Sequence, residues 1–396
     1  QWSQVSIDRP ESHQAAELAA SLAAQEAAEY PDDGRIRALR ARAVDNLLIH
    51  FPDHLNINRW RLQAGQWAQA MGQIQAATTH YESIEKDAPE RITAIRQMAM
   101  MMFLGLNRLA ISDRNEFLPE TSARIEAMDR ELLALVEQNP TKAVRVHATL
   151  EWIKARLNMM SGNPVKALNQ LSGLDLAVME PELHAPVHIA KLEASMMTGR
   201  EAAVQAVIGK LPSELMPEIA REILPLTGGV MGHPFPMDPI EDPGMALASV
   251  SLGTSLLDEA SLDDVTLVMA VESIRRGGEP AKALEAVDRI LEKRPDLAAA
   301  LLCKAECMRV LPDPDVAQLI TIYARLCKAD PETSPVRFWT SQFRLLQLMK
   351  DSGRDPAEVM ARFNRLRQQH PELGGPPFDG QFALLVAGMQ NGGVED

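Results

Sequence analysis

His184 and His188 stand four residues apart, so both rings would share one face of a helix and offer two nitrogen ligands to an ion such as zinc. Pro186 lies between them, which puts only the start of a helix there, and no third ligand follows in the sequence. His147 and Glu151 repeat the spacing. A four-ligand site would need both helices packed with matched geometry and supporting hydrogen bonds, so the expectation is that no metal is held. Cys303 and Cys307 also share a face, with Cys327 on the next helix. At that spacing they read as small buried apolar residues, and an odd number of Cys in a long chain gives no disulfide framework. The sequence contains no Gly-Lys-Ser/Thr phosphate loop, no Gly-x-Gly-x-x-Gly, no His-Glu-x-x-His and no Gly-x-Ser-x-Gly. Gly228-Gly229 with Gly232 is a loop fragment, and Ser83 with Lys86 is a chance Ser-x-x-Lys. No catalytic residue and no cofactor are expected.

Charge and composition narrow the field further. Asp and Glu number 54 against 40 Lys and Arg, a formal charge of −14, which repels phosphate backbones and anionic lipid. Aromatic residues are 4% of the chain, too few for base-stacking platforms, so nucleic acid is not an expected partner. The run Met98-Ala99-Met100-Met101-Met102-Phe103-Leu104-Gly105-Leu106 is too short for a bilayer and reads as core, so no membrane insertion is expected.

The elements that must position any functional side chain are helices. Apolar residues recur at three- and four-residue spacing in blocks of 12 to 20, punctuated by Gly, Pro, Asn and Asp, and period-two alternation is nearly absent. Gly277-Gly278-Glu279-Pro280-Ala281-Lys282-Ala283-Leu284 leads through Val287 and Ile290 to Pro295. Gly353-Arg354-Asp355-Pro356-Ala357-Glu358-Val359 leads through Phe363 and Leu366 to Pro371, which again lies 18 residues after the first Gly. Gly ends one helix, an acid before Pro starts the next, and a second Pro closes it, which is the chemistry of a helix hairpin. A third copy begins at Ser161-Gly162-Asn163-Pro164, and a weaker fourth is Ala64-Gly65-Gln66-Trp67-Ala68-Gln69-Ala70. Glu272 to Glu306, Arg275 to Arg309 and Ala283 to Ala317 are each 34 apart, the spacing of tetratricopeptide repeats.

With these residues the chain resembles the tetratricopeptide-repeat family. Ala305 matches the small residue late in that family's first helix, Ala70, Ala167, Ala283 and Ala317 the alanine of the second, Phe363 its aromatic, and Pro295 and Pro371 its closing proline. Val359 stands in place of the alanine, and Val287 and Thr321 in place of the aromatic. The resemblance implies an all-α fold, a right-handed α-solenoid of about nine stacked antiparallel helix hairpins. A hairpin that cannot bury its apolar stripe alone stacks on its neighbours and leaves a concave groove. The expected division is a helical-repeat block over 1–226, a Gly/Pro-rich acidic loop or junction over 227–260, repeats over 261–371, and a capping helix and tail over 372–396.

In the family's pattern the groove-facing positions of the first helix fall here on Glu272, Arg275, Arg276, Glu306, Arg309 and Arg344. The Arg fork suits a carboxylate and Glu sets register, so these are the expected contacts to a protein or peptide partner. The competing reading is a solvated helix face with internal pairs such as Glu272 with Arg276. The Lys and Asn set with which one subset of the family clamps chaperone tails has no full counterpart, since Lys154 and Asn158 find no second pair. Between Arg221 and Arg275 there is no Lys or Arg but there are nine acids, and the Gly/Pro run over 225–239 cannot continue a helix. It reads either as a linker or, through Met231, Phe235 and Met237, as a loop packed on the solenoid. Residues 337–371 hold seven basic side chains against three acids, compatible with docking an acidic segment or a second copy in a homo-oligomer. The expectation is therefore a non-enzymatic interaction scaffold, with a helical-repeat enzyme or small-ligand domain around an acidic cavity as the alternative. A cytoplasmic location is favoured, and the start at Gln1 leaves export open.

Overall fold

The computed structural model describes residues 10–30, 32–227, 240–257, 259 and 261–391, and these contain no β-strand. Backbone contacts divide the chain into two compact units, Gln1–Pro181 and Glu182–Asp396. The boundary falls upstream of the break expected at 226, beside a 3₁₀ turn over Pro181–Leu183.

The first unit is built from α1 (Pro10–Glu29), α2 (Gly34–His50), α3 (Ile57–Ala70), α4 (Ile74–Glu82), α5 (Glu90–Asn107), α6 (Ile111–Ala134), α7 (Pro140–Met160) and α8 (Pro164–Ser172). The second holds α9 (His184–Met197), α10 (Glu201–Ile208), α11 (Met216–Ile223), α12 (Pro243–Leu256), α13 (Asp264–Arg276), α14 (Pro280–Lys293), α15 (Ala298–Arg309), α16 (Val316–Leu326), α17 (Pro335–Asp351), α18 (Pro356–Gln369) and α19 (Phe378–Asn391). Helices pair along the chain as α1 with α2, α3 with α4, α5 with α6, α7 with α8, α13 with α14, α15 with α16 and α17 with α18, and α15 also touches both α13 and α17. That pattern of first helix on next first helix is what makes the arrangement an α-solenoid of stacked hairpins, similar to tetratricopeptide repeats.

One turn recurs at the tips. Gly72, Gly162, Gly278 and Gly353 have φ of 73°, 74°, 96° and 71°, a left-handed region open to Gly at no steric cost. The next residue folds its N–H back onto the helix. Gln73 donates to Ala68 O at 2.8 Å, Asn163 to Asn158 O at 2.8 Å, Glu279 to Ile274 O at 3.2 Å and Arg354 to Met349 O at 3.1 Å. These are Schellman turns, which satisfy carbonyls that the helix end leaves open. Pro164, Pro280 and Pro356 then start the second helix, where a missing N–H costs nothing. At the far end Arg294 and His370 leave the helical region at φ −135° and −139°, consistent with the α conformation being disfavoured before Pro295 and Pro371.

Two expectations shift. The weak copy at Ala64–Ala70 lies inside α3, not at a tip, because Gly65 serves packing there: a β-carbon on it would strike the ring of Tyr81, which is fully buried. The tip is Gly72, and Ile74 instead of Pro starts the second helix. The 227–260 segment contains α12, since Pro243 sits at the first helical position and Asp242 caps it, accepting from Met245 N at 2.7 Å. Gly253 lets α12 approach α13, as a β-carbon there would lie 2.5 Å from Ala270 O.

The core of the second unit runs through these layers. Val268, Val271 and Ile274 of α13 pack with Ala283, Val287 and Ile290 of α14 and Ala300, Cys303 and Cys307 of α15. Around α17, Trp339, Phe343, Phe363, Phe378 and Phe382 close the last layer, with Phe338 and Trp339 edge to face at 4.9 Å. The rings of α17, α18 and α19 bury one another in this layer.

Candidate functional site

The six groove residues expected from the sequence lie on the three first helices of successive hairpins: Glu272, Arg275 and Arg276 on α13, Glu306 and Arg309 on α15, and Arg344 on α17. The 34-residue offset repeats the same face, so an acid and a base three residues on recur from α13 to α15. Arg275 Nε donates to Glu272 Oε2 at 2.8 Å and its Nη2 to Glu272 Oε1, closing a bidentate fork. Arg309 grips Glu306 Oε2 with Nε at 3.1 Å and Nη2 at 3.1 Å. The other oxygen of Glu306 accepts from Tyr323 Oη at 2.5 Å. Arg344 Nε lies 3.3 Å from that same oxygen, near enough to pair but outside hydrogen-bond geometry, and its Nη1 donates to Gln347 Oε1 at 2.9 Å.

Five of the six thus belong to one polar ladder of three guanidiniums around two carboxylates. It is largely buried: Glu306 is 1% exposed and Arg275 4%, while the Arg309 side chain is 29% exposed. Burial pushes the Glu306 carboxyl up, but the Arg344 and Arg309 charges, the Tyr323 hydroxyl and Arg275 overcome it and hold it below the usual carboxylate range. Burial alone would lower Arg275, yet its bond to Glu272 and the Glu306 charge raise it. Tyr323, fully buried against Glu306, is pushed well above an ordinary phenol, first by burial and then by that carboxylate.

The i,i+4 partnership suggested for Glu272 and Arg276 is replaced by the i,i+3 pair with Arg275. Arg276 is buried, and its carbonyl accepts from Ile240 N at 3.0 Å, which fixes the start of the chain leading to α12 on the end of α13. Met231, Phe235 and Met237, the expected loop contacts, lie outside the described residues. Tyr323 was not foreseen. It sits 17 residues after Glu306 on the second helix of the same hairpin, a pairing that no local spacing signals.

Cys303 is buried and hands its thiol to Glu272 Oε2 at 3.7 Å. Hydrogen bonding with Cys307 and burial push that thiol well up, and burial pushes Cys327 up to about 11, so neither is a thiolate nucleophile near neutrality.

A second polar cluster lies in the first unit. His147 Nδ1 is 2.7 Å from Asp129 Oδ1, and Lys154 Nζ donates to Asp129 Oδ2 at 2.9 Å and also pairs with Glu151. Asn158 donates to Gln170 Oε1 at 2.6 Å beside them. Asp129, His147 and Glu151 are the one group among the described residues with metal-ligand spacing, but the Lys154 ammonium already supplies the cation. The hydrogen bond to Asp129 raises His147 against the pull of burial. Burial works against the Asp129 carboxylate, but its bonds to His147 and Lys154 win and lower its pKa. His184 and His188 occupy the first two turns of α9, where burial, Lys191 and His184 depress His188. Neither joins a described metal-ligand group.

No helix among the described residues is long and apolar enough to cross a membrane. No known family model matches the sequence, and none of the curated proteins does. Among solved structures, the TPR domain of P58(IPK) is similar, at 14% identity over 85% of this chain and 94% of that chain, with a TM-score of 0.24. Likeness at that level adds nothing to the hairpin geometry, on which the repeat architecture stands.

Proposed function

We propose that this chain is a non-enzymatic scaffold that holds a protein or peptide segment along the first-helix face of its C-terminal repeats. Glu272, Arg275, Arg276, Glu306, Arg309 and Arg344 make up that face, the more exposed of them touching the partner and the buried ones supporting them. The observation that supports this most is that two guanidiniums, Arg309 of α15 and Arg344 of α17, share one carboxylate, Glu306. A poorly solvated cation is stable when paired, so two guanidiniums on one carboxylate favour an incoming acid. Arg275 and Glu306 lie too deep for contact and hold the ladder in register. Arg309, Arg344 and Glu272 reach the partner, their side chains being 29%, 12% and 18% exposed. The enzyme alternative has no comparable support, because the Asp129–His147–Glu151 group is already neutralised by Lys154.

The test is affinity capture with the intact chain, quantified against an Arg309→Ala/Arg344→Ala variant and an Arg145→Ala control. Proteins held by the ladder are depleted several-fold with the double variant and unchanged with the control. Equal recovery from all three, with the fold intact by circular dichroism, would sink the proposal.

A further inference from the structure

We infer that the second unit carries a separate ligand site for a small amphipathic anion, an apolar body bearing one carboxylate, in the cleft between the end of α12, the start of α13 and the C-terminal half of α14. The cleft measures about 560 Å³, inside the roughly 300–1,000 Å³ typical of small-molecule sites. Leu262 and Ile290 form its buried floor, with Leu257 and Leu267 half-buried beside them. Those last two pack against the core on either side, so the cleft follows a seam between two apolar clusters.

The rim decides the charge of the ligand. Arg289 and Lys293 stand one turn apart on α14, both exposed, and neither makes an ion pair or side-chain hydrogen bond with a described residue. Nearby basic groups are spoken for: Arg294 lies 3.4 Å from Asp264, and Lys304 2.7 Å from Asp288. Like charges at i,i+4 repel across a helix face, so an anion between Arg289 and Lys293 relieves a local cost as well as gaining two partners. Among the described residues Glu259 is the single uncommitted acid on the rim. Two free cations against one free acid, over an apolar floor, select a carboxylate on a hydrocarbon body. This site is independent of the arginine ladder and uses none of its residues.

The experiment is calorimetric titration of the full chain with dodecanoate below its micelle concentration, with dodecyltrimethylammonium as the matched cation. Dodecanoate binds saturably at one site, decanoate more weakly by up to about fourfold per methylene removed, and the cation not detectably. The variant Arg289→Glu/Lys293→Glu, altered only at exposed positions, keeps the parent melting temperature and binds dodecanoate about tenfold or more weakly. An Arg145→Glu variant retains full affinity. The proposal is overturned by the absence of saturable binding, by equal affinity in the charge-reversed variant, or by equal binding of the cation.

Discussion

Replacing Glu306 with Gln removes one negative charge from the centre of the ladder while keeping the side chain's shape. The carboxylate serves three partners, Arg309 twice at 3.1 Å, Tyr323 at 2.5 Å and Arg344 at 3.3 Å, and it is 1% exposed. Breaking a buried ion pair by removing one member costs about 3–5 kcal/mol, because the other charge is left uncompensated. The Gln carbonyl still accepts from Tyr323, which returns about 1 kcal/mol, so the net loss is about 2–4 kcal/mol. For a unit of this size each kcal/mol moves Tm by about 2–4 °C, which puts the shift between about 4 and 16 °C. The pH dependence carries a sign. The folded pKa of Glu306 is held below its ordinary value, so its stabilisation is complete above the unfolded carboxylate pKa and is lost as pH falls through the folded one. The difference between parent and variant in urea denaturation must therefore be largest near neutrality and close towards acid. A loss under about 1 kcal/mol at pH 7, or a gap that survives full protonation, would refute the ladder as a coupled buried network.

Further outcomes follow from the packing and the first unit. Gly253→Val places side-chain atoms where Ala270 O and Ile274 already lie, so it should cost about 1–3 kcal/mol or more in urea unfolding. Gly105→Ala, with open space around it in α5, should instead stabilise by about 0.5–1 kcal/mol. His147 has a raised folded pKa, so what its charged form contributes is complete below the unfolded histidine pKa and fades as pH rises through the folded one. A His147→Ala variant should therefore differ from the parent most under mildly acidic conditions and converge with it at alkaline pH, measured by thermal melts; a gap that widens with pH would contradict the Asp129 pairing.

Local chemistry made most of the architecture legible. Gly278 and Gly353 beside Pro280 and Pro356 mark two tips because a left-handed turn and a helix start each demand a particular residue type. Gly72 lacks that signal because Ile74, not Pro, starts the next helix, and Gly65 imitates a tip although its role is to lie under the Tyr81 ring. The Gly/Pro-rich span 227–260 reads as a loop or junction, yet Pro243 within it starts a helix and Gly253 lets two helices touch. Pro and Gly break helices only in the interior or in the wrong backbone region, and position within the element is a tertiary property. At the site, the 34-residue offset places Glu272 and Arg275 of α13 at positions equivalent to Glu306 and Arg309 of α15. It could not tell that the acids and bases would neutralise one another under burial, nor that Tyr323 would join them, because both follow from how far the second helix closes over the first.

The most direct test of the account is photo-cross-linking from the exposed end of the ladder helix. With Val310, exposed beside Arg309, replaced by benzoylphenylalanine, irradiation in cell extract should yield discrete protein adducts that disappear when Arg309→Ala and Arg344→Ala are added. The same probe at Arg145 should yield none of those adducts. Identical adducts from both positions, or adducts at Val310 that persist without the two arginines, would contradict a first-helix docking face.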